Sequence, residues 1–170
     1  KADALDFLGD GSITFLGLLA IGWSLVWRAR SALIQGVFLG LLGFWVIVST
    51  ILKAMNDTPV EAGLMGLFAV VALVINVIAV LPLLPYRDGD ANMRAVWLFS
   101  RNDAIGNVAV IVAAGLVALS STRWPDLIVA FLIAALFLHS AWTIIQHAIR
   151  DLHTAKASLA NPLSIKTAIE

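Results

Sequence analysis

The chain contains no cysteine, which excludes disulfides and thiolate metal sites. Charge is scarce as well. Asp, Glu, Lys and Arg together make up 13% of the residues, about half the share in an ordinary soluble domain. The formal net charge is zero and there is no basic tract; the electrostatic footprint of a nucleic-acid binder is missing. No segment alternates apolar and polar residues as a half-buried strand does. No positively charged leader with a cleavage site precedes the first apolar run, so no signal peptide is expected.

What the chain does have is apolar length. Hydrophobic residues account for 61% of the sequence, and roughly 20 consecutive apolar residues span a bilayer. Five such runs predict an all-α, polytopic transmembrane helix bundle over residues 1–150, with spans at 4–27, 32–52, 60–84, 95–119 and 126–149. Arg28 and Arg30 close the first span and Lys53 the second. Pro59 suits the start of the third, and Pro85 ends it. The charged stretch from Tyr86 to Arg94 reads as a loop. Asp126 is expected to cap the fifth span. Residues 151–170 are polar and read as a poorly ordered cytoplasmic tail.

Basic residues give the orientation. One set of alternate loops holds Arg28, Arg30, Arg87, Arg94, Arg150, Lys156 and Lys166; the other holds Lys1, Lys53 and Arg123, so seven against three puts the first set in the cytoplasm. The N-terminus then lies outside. The chain starts at Lys1 rather than methionine and reads as a fragment. One further helix before Lys1 would give six spans with both ends inside.

The charges inside the runs are acidic. Asp3, Asp6 and Asp10 follow i, i+3, i+7 spacing and share one helical face, which Thr14 extends. Ser100, Asp103 and Asn107 repeat the spacing in the fourth span. A carboxylate at a membrane helix centre costs about 2.5–3.5 kcal/mol on insertion scales, and such residues face water-filled paths or partners. Asp3 and Asp6 are near enough to a helix start to sit at the interface. Asp10 and Asp103 are deeper. Two acidic faces on two helices suggest one shared cation site. Arg101, at i−2 from Asp103, points elsewhere and is expected to snorkel to the cytoplasmic face or to pair across the bundle.

The order of several short motifs resembles the cation diffusion facilitator family of metal/proton antiporters. Ala2-Asp3-Ala4-Leu5-Asp6-Phe7-Leu8-Gly9-Asp10 resembles that family's second helix, where an Asp or His and an Asp four residues on bind metal. Pro59-Val60-Glu61-Ala62-Gly63, continuing to Asn76, resembles the fourth helix. Asn102-Asp103-Ala104-Ile105-Gly106-Asn107 resembles the fifth, whose Asp completes the site. Trp124-Pro125-Asp126-Leu127-Ile128, with Ile133-Ala134-Ala135-Leu136, resembles the start of the sixth. The resemblance implies Asp6, Asp10 and Asp103 as metal ligands, with Asn107, Ser100 and Asp3 as further candidates. It also implies a piece lacking the family's first helix and its C-terminal cytoplasmic domain. A further departure is Phe99, where the family offers His or Asp.

The implied function is efflux of a divalent metal ion in exchange for protons, without covalent chemistry and without a resident cofactor. Zinc, cobalt or cadmium follow from the family; a site of oxygen ligands alone leans toward manganese. The expected partners are the bilayer, the metal ion, protons and a second copy of the chain, with no nucleic acid. A bacterial inner membrane is the expected location. Two alternatives stand beside this reading. One is a non-transporting membrane subunit or inactive fragment. The other is an intramembrane aspartyl protease, whose Gly-x-Gly-Asp signature fails at Phe7-Leu8-Gly9-Asp10.

Other features have plainer readings. Gly36, Gly40 and Gly43 allow close helix packing, and Asn76 is expected to hydrogen-bond between helices. His139 lies in an apolar run and could face the bundle, whereas His147 and His153 read as interfacial. Trp23, Trp27, Trp97, Trp124 and Trp142 fall near span ends, as interfacial belts do.

Overall fold

The computed structural model describes residues 2–56 and 62–160, with side chains for 11–56, 69–78 and 80–158. Every regular element among them is helical: α1 (Ala2–Leu19), α2 (Leu25–Met55), α3 (Ala62–Val80), α4 (Ala91–Ser120) and α5 (Trp124–Ala160). Short 3-10 turns follow α1 at Ala20–Gly22 and α3 at Leu81–Tyr86. Helices α2, α4 and α5 are each long and apolar enough to cross a bilayer.

The helix ends differ from those expected, because charge marks where a helix leaves hydrocarbon, not where it stops. The break after α1 comes at Trp23 and Ser24, both extended. Arg28 and Arg30 therefore ride on the first turns of α2, where Arg28 pairs with Asp90. Helix α3 ends at Val80, because Pro82 lacks the N–H that a continuing helix needs. Asp90 caps α4, accepting from the Met93 N–H at 3.0 Å, so the loop expected to reach Arg94 is shorter. At the other end of α4, Ser121 takes a left-handed conformation (φ 52°) that turns the chain. Asp126 is not the cap of α5. It lies in the first helical turn, which starts at Trp124, where its charge complements the helix dipole.

The tail reading needs correction for residues 151–160, which continue α5. Asp151 Oδ2 accepts the Ala91 N–H at 2.8 Å, and Ala155 is buried. The continued helix is thus tied to the start of α4. Residues 161–170 lie outside the described part.

Helix α2 lies along α5, α3 lies on α4, and α4 joins the two pairs by packing on α5. Small residues make the α2–α5 approach close. A Cβ on Gly36 would meet Ile145 Cγ1 at 2.8 Å, and one on Gly43 would meet Leu138 Cγ and Phe137 Cβ at 3.1 Å. The core is where α2, α4 and α5 meet, around Ala32, Leu39, Ala95, Phe99, Ala141 and Ile144. Outward faces carry exposed Leu, Ile, Val and Phe, with Trp27, Trp45, Trp124 and Trp142 also exposed. In lipid these are solvated side chains, not defects.

Candidate metal centre

Ser100, Asp103 and Asn107 share one stripe of α4. Ser100 is buried, and Asp103 and Asn107 are half-buried. The other candidates, Asp3, Asp6 and Asp10, belong to α1, but their side chains lie outside the described residues. Among the described residues no three His, Cys, Asp or Glu side chains come together as a metal site. Any site built on Asp103 therefore needs ligands from elsewhere.

Phe99 cannot supply one. It is 1% exposed, and its ring stacks on Phe38 of α2 with centroids 6.5 Å apart and planes at 21°. The position where the family pattern offers His or Asp has become part of the apolar core.

Two buried polar networks flank this stripe. In the first, Gln35 Nε2 donates to Asn92 Oδ1 at 2.9 Å and to Ser31 Oγ at 3.1 Å. Asn92 Nδ2 donates to the Gly17 carbonyl at 2.7 Å, in the last turn of α1, where helical carbonyls run out of partners. Gly17 also lies directly against Val96 of α4; a Cβ there would overlap Val96 and sit 2.9 Å from Gln35 Oε1. This network pins the end of α1 between α2 and the start of α4. In the second, Ser140 Oγ donates to Asn102 Oδ1 at 3.3 Å, and Arg101 donates to the same Asn102 oxygen at 3.0 Å. This one ties α4 to α5.

Sequence reasoning missed both networks. Their signal was present, since Gln35, Asn92 and Asn102 are amides carried by long apolar helices, where an unpaired amide is expensive. Which partners they choose depends on helix register, and one chain does not show that. Arg101 pairs with neutral oxygens of Asn102 and Ser140. His139 is exposed rather than turned into the bundle. His147 meets Arg94 Nη1 at 2.9 Å, and Asn76 is half-buried.

Long apolar helices with amide networks buried between them define a multi-pass membrane protein. Residues 28–153 match the cation efflux transmembrane domain, and the chain belongs to that family, the cation diffusion facilitators, which are transporters and not enzymes. The protease alternative is thereby set aside. Among curated proteins, the chain is 26% identical over 166 residues to the zinc transporter ZitB of Escherichia coli, covering 89% of this chain and 52% of that protein. It is likewise 26% identical over 165 residues to ZitB of Pectobacterium atrosepticum, covering 89% of this chain and 51% of that one. The chain thus spans about half the length of the curated relatives it matches. The family match includes Ser100, Asp103 and Asn107 and begins after Asp3, Asp6 and Asp10.

Proposed function

We propose that this chain is the membrane domain of a carrier that expels a divalent metal ion in exchange for protons. The metal is bound by Asp6, Asp10 and Asp103, and Asn107, Ser100 or Asp3 completes the shell. Zinc is the favoured ion, consistent with the zinc transporters it resembles; cobalt, cadmium and manganese are the ions to compare with it. The basic end of the bundle, with Arg28, Arg87, Arg94 and Arg150, faces the cytoplasm by the positive-inside rule. The membrane is then a bacterial inner membrane and the working unit a homodimer.

The observation that carries the reading is one of register. Gly17 of α1 abuts Val96 of α4, and the positive-inside orientation runs α1 toward the cytoplasm and α4 away from it. The two helices therefore run antiparallel. Seven residues separate Gly17 from Asp10, and seven separate Val96 from Asp103. A two-turn offset, about 10 Å on each of two antiparallel helices, supports a site shared between the two residues.

Carboxylates in such a site are expensive to keep charged. The metal neutralises them from the cytoplasmic side, and protons from outside compete for the same oxygens. Rocking of the bundle exposes the site to each side in turn. Reconstitution in proteoliposomes tests this. An inward-directed zinc gradient with an acidic lumen should drive uptake, and Asp103→Ala should abolish it with insertion unchanged. Flux retained by Asp103→Ala would refute the assignment. A wild-type chain without flux would favour the non-transporting subunit.

A further inference from the structure

A second polar feature lies on the other side of α4, away from the carboxylate stripe. Between α4 and α5, near the basic end, is a cavity of about 270 Å³. Arg87, Arg94 and Arg101 line it against a single carboxylate, Asp88, with Trp97 as one wall and Ser140 at its floor. Asp88 is exposed and engaged by Arg87 Nε at 3.2 Å, so it leaves the deeper guanidinium groups uncompensated. Arg94 spends one nitrogen on His147 and Arg101 spends one on Asn102 and Ser140. The Nε atoms of Arg94 and Arg101 are buried and have no hydrogen-bond partner among the described residues. Two buried donors on cationic side chains that line a cavity with room for a tetrahedral anion call for an acceptor.

What lies beneath the cavity identifies the source of that acceptor. The stripe of α4 that carries Arg94, Trp97 and Arg101 continues through Ile105, Val108 and Val112, which are 45%, 47% and 52% exposed. On α5 the stripe that carries His139 runs back through Leu132 and Ile128, also exposed. Cationic groups at one end of a groove and open aliphatic surface along the rest match an amphiphile, not a free ion. Depth agrees. Helix α4 has 30 residues, about 45 Å, against a hydrocarbon thickness of about 30 Å. Its surplus at the basic end brings the Arg101 guanidinium, on a residue roughly 15 Å from the helix start, within snorkelling reach of the headgroups.

We propose that this cavity binds the phosphodiester of an anionic phospholipid, with acyl chains lying along the α4–α5 groove. Basic pockets between membrane helices suit such headgroups, and guanidinium forks fit phosphate oxygens better than ammonium groups do. The site is independent of the metal reading, since it uses neither the acidic stripe nor α1.

Native mass spectrometry of the detergent-released chain with phosphatidylglycerol, phosphatidylethanolamine or inorganic phosphate tests it. Phosphatidylglycerol should be retained over phosphatidylethanolamine. Each of the two deeper arginines is worth roughly five-fold, so Arg94→Gln with Arg101→Gln should lower retention about 25-fold, while Arg87→Gln, exposed on the rim and paired with Asp88, should leave most of it. Arg101→Lys, which keeps the charge and the fold, should fall between. Equal retention of the two lipids, or undiminished binding by a folded double variant, would overturn the proposal. Displacement of phosphatidylglycerol by millimolar inorganic phosphate would overturn the lipid as its source.

Discussion

Two helix junctions in this bundle meet the same demand by opposite means. The α2–α5 junction is apolar and close: Gly36 and Gly43 let Ile144, Ile145, Phe137 and Leu138 come against the α2 backbone. The junction of α1 with α2 and α4 is held by Gln35, Asn92 and the Gly17 carbonyl. Lipid tails are as apolar as leucine, so neither junction draws on the hydrophobic effect as a soluble core does. The first relies on contact area and resists deformation. The second relies on a few directional bonds, which can be exchanged for water or for other partners. A carrier needs both kinds, one to keep a rigid unit and one to let a helix shift around a site. The carboxylates proposed as ligands are carried by α1 and α4, the helices of the polar junction.

Perturbing each junction separately should sharpen this contrast. The largest loss is expected in the apolar core that joins α4 to the α2–α5 pair. Phe99→Ala removes a ring packed in the core against Phe38, and thermal unfolding in detergent should show a loss of about 3–5 kcal/mol. Gly36→Leu forces a side chain into Ile145 and Ile144, with an expected loss of about 1–3 kcal/mol and easier proteolysis between α2 and α5. On the polar side, a double-mutant cycle of Gln35→Leu and Asn92→Leu should give a coupling of only about 0.6–1.7 kcal/mol, the range for hydrogen bonds between membrane helices. A larger coupling there than the Gly36→Leu loss would break the comparison. Arg28→Gln, which removes a partly exposed ion pair with Asp90, should cost about 1 kcal/mol or less, and less still in high salt.

The helical class was legible because five apolar runs exceed what a soluble core uses, and the acidic spacing was legible because three and seven residues return to one face. The ends were not. Arg28, Arg30 and Arg94 read as loop markers, yet each sits on a helix that outruns the hydrocarbon. Residues 151–160 read as a free tail because they are polar, yet Asp151 binds the Ala91 N–H. The glycines of the second span read as close-packing positions, and Gly36 and Gly43 do face α5, though the partner helix was not legible. The partners of Gln35, Asn92 and Asn102 were hidden because composition and spacing fix a helix face but not the register of one helix against another. The sequence marked Asp103 as a candidate ligand and Phe99 as a departure from the family pattern. That Phe99 serves the core is visible only with Phe38 beside it.

The most direct test of the central claim is metal binding to the detergent-purified chain by isothermal titration with zinc, cobalt, cadmium and manganese, on the wild type, Asp10→Asn and Asp103→Asn. A site shared between α1 and α4 requires that wild-type binding be lost in both variants, each removing a carboxylate from a different helix. Binding that survives either substitution unchanged would contradict a site built on the two helices together.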